Sequence, residues 1–246
     1  MNSAEILIIA GTFLLAGAVK GVVGMGLPTV ALALLTMTVG LKDAIILMLV
    51  PSLLTNIWQA VSGGHVTKLI SRLSGMLIAI IFGVILGSYI FQFSRISYLS
   101  ALLGALISLY AAFGFFSPQR MLSTQTERFA SPLVGLINGL LTGLTGSFVV
   151  PSVPYLQTLD MKRDEFIQSM GIVFTISTLM LLINFSGYRL ISFELGLAST
   201  LAVLPAVIGM IIGQNIRNRL SDTVFRRVFL WSLLIVGLFI TYRSLN

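Results

Sequence analysis

The chain has 246 residues, of which 57% are hydrophobic and only 9% are charged. Soluble domains carry about a quarter charged residues, so this composition excludes a soluble globular protein and indicates an integral membrane protein. Cysteine is absent, which excludes disulfides, thiol chemistry and thiolate metal sites. The net charge of +7 comes from basic residues spread over short loops, which favours a role in membrane topology over nucleic-acid binding.

Apolar segments follow one another along the chain, and each is long enough to cross the hydrocarbon layer as a helix. They cover residues 5–39, 44–62, 73–93, 96–116, 132–159, 166–186, 195–215 and 224–242. The first segment is not predicted to be a secretory signal, because Glu5 precedes its apolar run and the basic leading region is missing.

The two halves of the chain resemble each other. Three glycines of the first half recur 122 positions later, in the pairs Gly17 and Gly139, Gly21 and Gly143, and Gly24 and Gly146. Two further matches follow in the same order, Lys42-Asp43 with Arg163-Asp164 and Gly83-x3-Gly87 with Gly209-x3-Gly213. We therefore predict two transmembrane repeats, 1–116 and 131–246, joined by a cytoplasmic linker at 117–130.

The first segment of each repeat is unusual in length. Residues 5–39 would form a helix of about 52 Å, which is too long for one span and cramped for two. Glycines lie near the centre of the segment, and Pro28 follows them as Pro151 follows the second set. Because proline suits the first turn of a helix, we predict a helix, a glycine-rich elbow near the bilayer midplane and a second short helix.

Basic residues indicate whether these segments cross the membrane or turn back, because cytoplasmic loops are enriched in Lys and Arg. If both segments turn back as hairpins, one side holds ten basic loop residues and the other holds four. If each segment crosses once, the division is eight against six. We therefore predict an all-α membrane protein of two inverted-topology repeats, each a glycine-broken hairpin followed by three transmembrane helices. Both termini are then expected to be periplasmic.

The elbows are the predicted functional centre. Glycine-rich backbone at membrane depth must be buried in protein or line a cavity, because lipid cannot satisfy its amides. The helix that begins at each elbow offers free amides and a positive dipole end, which favour an anion. Lys20 adds a full charge, and inserting a charge at the centre of a membrane helix costs about 2.5–3.5 kcal/mol. This cost argues for a function, and snorkelling of the side chain to an interface is the alternative. Its counterpart in the second repeat is the neutral Thr142.

Other polar residues inside the apolar segments are candidates for the same site. Asn56 and Gln59 share one helical face, and Thr178 corresponds to Asn56 in the second repeat. Interhelical hydrogen bonding is the alternative for these side chains, and close helix packing is the alternative for the glycines. The predicted substrate-binding set is Lys20, Gly21, Gly24, Met25, Gly26, Asn56, Gln59, Thr142, Gly143, Thr145, Gly146, Ser147 and Thr178.

Acidic residues fall only in loops or at the ends of spans, and the single histidine, His65, lies in a loop. The segments therefore contain no obvious carboxylate proton relay and no acidic cation cage. Without a buried carboxylate, histidine or cysteine cluster, we predict neither an enzyme nor a metal site, and no cofactor. The absence of a nucleotide-binding motif removes ATP-driven pumping by this chain alone.

The chain resembles the sulfite exporter TauE/SafE family of small secondary permeases over nearly its full length. The resemblance rests on the duplicated glycine elbow, on LVPSLLTNIWQ at 49–59 and on DEFIQSMGIVFTISTLML at 164–181. It implies a bacterial inner-membrane transporter of sulfite, sulfonates or thiosulfate, coupled to the proton motive force. The elbows here hold fewer glycines than is usual in the family, which leaves the choice of oxyanion and the direction of transport open.

The residues and the resemblance together predict a secondary transporter that holds a small anion between the elbows and works by alternating access. An anion channel or uniporter on the same scaffold is the alternative. An intramembrane enzyme or a structural subunit of a complex is the third possibility considered. The expected partners are a small anion and the lipid bilayer, with no nucleic acid, and the sequence does not specify an oligomeric state.

Overall fold

A computed structural model describes residues 3–115, 121–217 and 222–245 of the chain. All regular secondary structure in these ranges is α-helical. In chain order the helices are α1 (Ser3–Val23), α2 (Leu27–Thr38), α3 (Leu41–Val61), α4 (Val66–Phe91), α5 (Ile96–Phe115), α6 (Thr124–Thr145), α7 (Ser152–Gln157), α8 (Arg163–Gly187), α9 (Phe193–Leu201), α10 (Val203–Arg217) and α11 (Asp222–Leu245).

Seven stretches within the described ranges are helical, long enough and apolar enough to cross a membrane. They are Ser3–Val23, Leu41–Val61, Val66–Phe91, Ile96–Phe115, Arg163–Gly187, Phe193–Ile216 and Arg227–Leu245. The prediction of an all-α, multi-pass membrane protein is therefore confirmed. Helix α6 begins at Thr124, inside the predicted linker 117–130, and residues 117–120 of that linker lie outside the described ranges.

Two helices end at a glycine in the left-handed backbone region. Gly24 has φ +83° and donates its amide to the carbonyl of Lys20 over 2.7 Å. Gly146 has φ +74° and donates its amide to the carbonyl of Thr142 over 2.7 Å. A residue with a side chain would be strained at either position. The two corresponding positions of the repeat therefore close their helices with the same cap.

Short helices follow both breaks. Gly26, with φ +109°, precedes α2, and Pro28 stands in the first turn of that helix. Pro151 directly precedes α7, which has only six residues, and the Val150–Pro151 peptide bond is cis. A new helix therefore starts shortly after Gly24 and shortly after Gly146, which agrees with the predicted order of helix, glycine break and short helix.

The chain forms two compact units, and the first comprises Met1–Ser52, Ile96–Phe115 and Ile191–Asn246. Within it α1 packs against α10. A side chain at Gly17 would overlap the carbonyl of Ala206, and one at Gly21 would overlap the carbonyl of Met210. Residue numbers rise together along both helices, so α1 and α10 run parallel. The absence of side chains at these glycines lets the two backbones touch.

Helices α5 and α11 form the second close pair of this unit. Gly104 of α5 lies against Gly237 of α11, and Gly114 lies against the side chain of Leu230. Numbers rise along one helix as they fall along the other, so the pair is antiparallel. The start of α5 therefore lies beside the end of α11.

The second unit comprises Leu53–Arg95 and Phe116–Leu190. Within it α4 packs along α6 in parallel, because Gly83 faces Gly139 and Gly87 faces Gly143. Side chains at these positions would overlap partner backbone atoms, so the predicted helix-packing role of Gly83 and Gly87 agrees with the structure. Gly209 and Gly213 of α10 make the equivalent contacts with α1 in the first unit.

Hydrogen bonds close one end of the second unit. The amide of Leu122, which precedes α6, donates to the carbonyl of Thr158, which follows α7, over 2.9 Å. Beside it the Arg72 guanidinium binds both carboxylate oxygens of Glu127 at 2.7 and 2.8 Å. The segment that contains α6 and α7 therefore begins and ends at the same place.

Candidate functional site

Lys20 lies in the last turn of α1, just before the helix ends at Val23. Its side chain is buried, with 5% of the residue exposed. A lysine that snorkelled to an interface would hold its ammonium group in water, so this burial disfavours the alternative considered for the sequence. The structure therefore places the one lysine of the first apolar segment inside protein, next to a broken helix.

Other parts of the first unit enclose the first elbow. The Tyr110 hydroxyl of α5 donates to the sulfur of Met25 over 3.2 Å. A Cβ on Gly26 would stand 3.1 Å from the side chain of Val19 and 3.3 Å from that of Phe229. The backbone that starts α2 is therefore covered by protein, which is the environment that glycine-rich backbone requires at membrane depth.

Thr29, in the first turn of α2, was not among the residues that the sequence singled out. It is 4% exposed, and its hydroxyl oxygen makes no hydrogen bond to the described residues. Buried hydroxyls usually have a partner, so an unsatisfied one beside a helix N-terminus is a candidate ligand group. Its position one residue after Pro28 was the available signal, because a threonine in that first turn lies at the elbow.

Polar groups of the second elbow are largely hydrogen-bonded to one another. The Thr142 hydroxyl donates to the carbonyl of Asn138 over 2.7 Å, and Thr145 Oγ1 accepts from the amide of Ser147 over 3.2 Å. Thr142 and Thr145 are fully buried, and Ser147 is 5% exposed. A hydroxyl that already donates to its own helix offers only its lone pairs to a ligand.

Asn138 carries a free donor at the second elbow. Its Oδ1 accepts from the amide of Ser152 over 3.2 Å, while its Nδ2 makes no hydrogen bond to the described residues. The residue has no exposed surface. An amide nitrogen can donate two hydrogen bonds, so Asn138 is a better donor for an anion here than Thr142. The sequence places Asn138 beside the elbow but does not reveal which of its atoms is satisfied.

Helix α8 lies against this second elbow. The rings of Phe174 and Phe148 are 4.8 Å apart. Thr178, one turn further along α8, is fully buried and donates its hydroxyl to the carbonyl of Phe174 over 2.7 Å. Its neighbour Ser177 is also fully buried, and the Ser177 hydroxyl makes no hydrogen bond to the described residues. Ser177 is thus a further candidate donor in the polar stretch 175–178, from which the predicted site includes only Thr178.

Gln59 is engaged between two helices. Its Nε2 donates to the carbonyl of Ile167 over 2.8 Å, and Gln168 Nε2 donates back to the carbonyl of Ala60 over 2.6 Å. This reciprocal pair ties the end of α3 to the start of α8, which is the interhelical bonding considered as its alternative. Asn56, one turn earlier on α3, is fully buried.

The predicted site residues divide between the two units. Lys20, Gly21, Gly24, Met25 and Gly26 belong to the first unit. The second unit contains Asn56, Gln59, Thr142, Gly143, Thr145, Gly146, Ser147 and Thr178. Each unit therefore has one broken helix, buried polar groups and at least one hydrogen-bonding side-chain atom without a partner among the described residues.

Comparison with known protein families agrees with this architecture. A family model described as sulfite exporter TauE/SafE matches residues 9–240. The chain belongs to the TauE/SafE family. No curated protein and no solved structure matches it significantly.

Membership of the TauE/SafE family makes this chain a multi-pass membrane protein of a transporter family, and not a member of an enzyme family. The family indicates sulfite-type anions as the class of substrate, in a lipid environment. The match extends from α1 to α11 and so includes both glycine breaks.

Proposed function

We propose that this TauE/SafE protein is a secondary transporter that moves small sulfur-containing oxyanions of the sulfite, sulfonate or thiosulfate type by alternating access. Transport is coupled to the proton motive force across the bacterial inner membrane. One observation carries the proposal. A buried lysine, Lys20, lies one turn before Gly24, the glycine at which α1 ends, in a chain that belongs to a family of sulfite-type transporters.

Three kinds of positive or donating group meet at the first elbow. The Lys20 ammonium supplies a compact charge, and the amides of Leu27 and Thr29 have no partners within the 12-residue helix α2. Pro28 has no N–H, and the amide of Val30 donates to the carbonyl of Gly26 over 2.8 Å. Thr29 adds a buried hydroxyl without a partner among the described residues. Together they suit a small oxyanion with several acceptor oxygens, for which a lysine acts as a point charge.

The second elbow has neutral donors of its own. Asn138 Nδ2 and the Ser177 hydroxyl are the groups ready to donate, because neither has a partner among the described residues. Thr142, Thr145 and Thr178 can join them by rotating a hydroxyl away from the carbonyl of their own helix.

The hydrogen bond between Leu122 and Thr158 supports a segment that enters and leaves the membrane on one side. The directions of the helix pairs support the same arrangement. Suppose that one membrane crossing is made by each of α3, α4, α5, α8, α9–α10 and α11. Because α5 and α11 are antiparallel, α6 and α7 must then return to the side on which α6 starts. Because α1 and α10 are parallel, α1 and α2 must also return to the side on which α1 starts. That side is opposite to the one on which α6 starts. The two repeats are inverted in this topology, as in many transporters.

Flux measurements on the purified protein in liposomes test the proposal. A carrier gives sulfite uptake that saturates and that is accelerated by unlabelled sulfite on the far side, and an inward proton gradient changes the rate. A channel gives flux without counterflow acceleration, and a uniporter gives counterflow acceleration but a rate that the proton gradient does not change. Failure to carry sulfite, sulfonates or thiosulfate in either mode would remove the proposed function.

A further inference from the structure

A polar cavity lies within the first unit, and no residue of the first elbow lines it. It has a volume of about 640 Å³ and opens where α2 ends, α5 begins and α11 ends. Its lining includes one guanidinium and several hydroxyl groups, from Thr36, Ser97, Tyr98, Ser100, Arg243 and Ser244. None of these residues belongs to the proposed transport site.

Arg243 provides the charge of this cavity. Its Nη1 donates to the carbonyl of Met37 at the end of α2 over 2.9 Å, which holds the side chain across the cavity. A guanidinium has five N–H donors in a planar fork, so one carbonyl leaves most of them available. Among the residues that the structure describes, no carboxylate lines the cavity and none forms an ion pair with Arg243.

Hydroxyl groups converge on the same space from two other helices. Thr36 of α2 lines the cavity, although its hydroxyl oxygen is itself buried and makes no hydrogen bond to the described residues. Ser100, on the second turn of α5, is 7% exposed and also lines the cavity. A cation without a carboxylate partner, surrounded by hydroxyls, is the donor set that recognises the oxygens of an oxyanion.

We propose that this cavity, the Arg243 cavity, is a second oxyanion-binding site, separate from Lys20. Arg243 binds two oxygens of the anion through its planar fork, and the hydroxyl of Ser100 donates to another. The ligand is either a free sulfur oxyanion or the phosphate of a lipid headgroup, which share this chemistry. The cavity volume admits either ligand.

Binding assays on the full chain test this inference without any measurement of transport. Equilibrium binding of radiolabelled sulfite is measured for wild type, Arg243→Met, Lys20→Met and the double variant, in nanodiscs of phosphatidylcholine alone. Arg95→Met is the matched control, because Arg95 is an exposed arginine that directly precedes α5 and does not line the cavity. A parallel arm measures retention of phosphatidylglycerol by native mass spectrometry.

For a free oxyanion, we expect Lys20→Met and Arg243→Met each to remove one sulfite site, the double variant to bind none and Arg95→Met to bind as wild type. For a lipid phosphate, phosphatidylglycerol is retained by wild type and lost from Arg243→Met, whereas sulfite binding does not change. The proposal is overturned if Arg243→Met alters neither ligand, or if Arg95→Met has an equal effect.

Two milder variants cover the case in which Arg243→Met does not fold. Ser100→Ala removes one donor, and Arg243→Lys keeps the charge but loses the planar fork. We expect each to weaken binding of the retained ligand by about tenfold, which is the effect of losing one charge-assisted hydrogen bond. Unchanged affinity in both would contradict the site. A failure of Lys20→Met to alter transport would count against the proposed function alone, because the Arg243 cavity is measured by binding.

Discussion

The amide of Gly24 donates to the carbonyl of Lys20 over 2.7 Å, so the backbone of the lysine accepts the last hydrogen bond of its helix. Thr142 occupies the equivalent position of the second repeat and accepts from Gly146 over the same distance. The two breaks therefore share one backbone geometry, while the side chain four residues before the glycine is a cation in one and carries a hydroxyl in the other. This relationship connects the fold to the proposed site.

Alanine at either cap position will destabilise the protein. A left-handed conformation costs an L-residue about 1–2 kcal/mol, so Gly24→Ala and Gly146→Ala should each lower the free energy of unfolding by about that amount. Gly11→Ala is the control, because a Cβ there meets nothing within 4 Å. Thermal unfolding in detergent measures the three variants. Equal melting temperatures for all three would show that the caps are not strained by a side chain.

Glycine contacts between helices give a second prediction. Gly139→Ala and Gly209→Ala place a methyl group against the partner backbone at Ile80 and Leu14, and the helices must separate. We expect each to cost about 1–3 kcal/mol, as overpacking does in other cores. Gly187→Ala is the matched control, since nothing lies within 4 Å of its Cβ position. Denaturant titration distinguishes them, and losses no larger than that of the control would contradict the packing.

The sequence predicted that these glycines pack against another helix, but not which helix they contact. Repeated glycines at Gly83 and Gly87 and at Gly209 and Gly213 indicate a helix that touches another backbone. Which helix it touches depends on tertiary packing, and here α4 of the first half pairs with α6 of the second, while α10 pairs with α1. A single sequence carries no signal for such an exchange of partners.

Two ion pairs of the second unit, each with a largely buried carboxylate, give a third prediction. Arg72→Met leaves Glu127 without its partner, although that carboxylate side chain is only 10% exposed. We expect a loss of about 1–3 kcal/mol, below that of a fully buried pair because the Arg72 side chain is 28% exposed. Lys68→Met should cost less, because Lys68 is 63% exposed. Equal losses in a thermal melt would contradict this order.

Membrane topology gives a fourth prediction, and the absence of cysteine from the sequence makes it direct. Arg128→Cys and Lys162→Cys should react with an impermeant maleimide from the cytoplasmic side, and Arg95→Cys and Arg189→Cys from the periplasmic side. All four residues are exposed. Labelling of positions 128 and 162 from opposite faces would refute the inverted arrangement.

Side-chain roles at the candidate site were only partly predictable. Lys20 stands out in the sequence because a charge in an apolar segment is rare, and its burial agrees with that reading. Gln59 has the same polar signal, but its donor is used by the backbone of Ile167. Thr29 looks ordinary in sequence, and Ser177 does not differ there from its neighbour Thr178, because hydroxyls commonly bond to their own helix. Only coordinates distinguish a satisfied hydroxyl from an unsatisfied one.

The most direct test of the account is sulfite counterflow by Lys20→Met in liposomes, compared with Lys42→Met, the same substitution at an exposed lysine. Both proteins should fold and insert, as judged by gel filtration and thermal unfolding. The account predicts that Lys20→Met loses saturable counterflow, whereas Lys42→Met keeps that of wild type. Counterflow by Lys20→Met with an unchanged half-saturation concentration would contradict a substrate site at the first elbow.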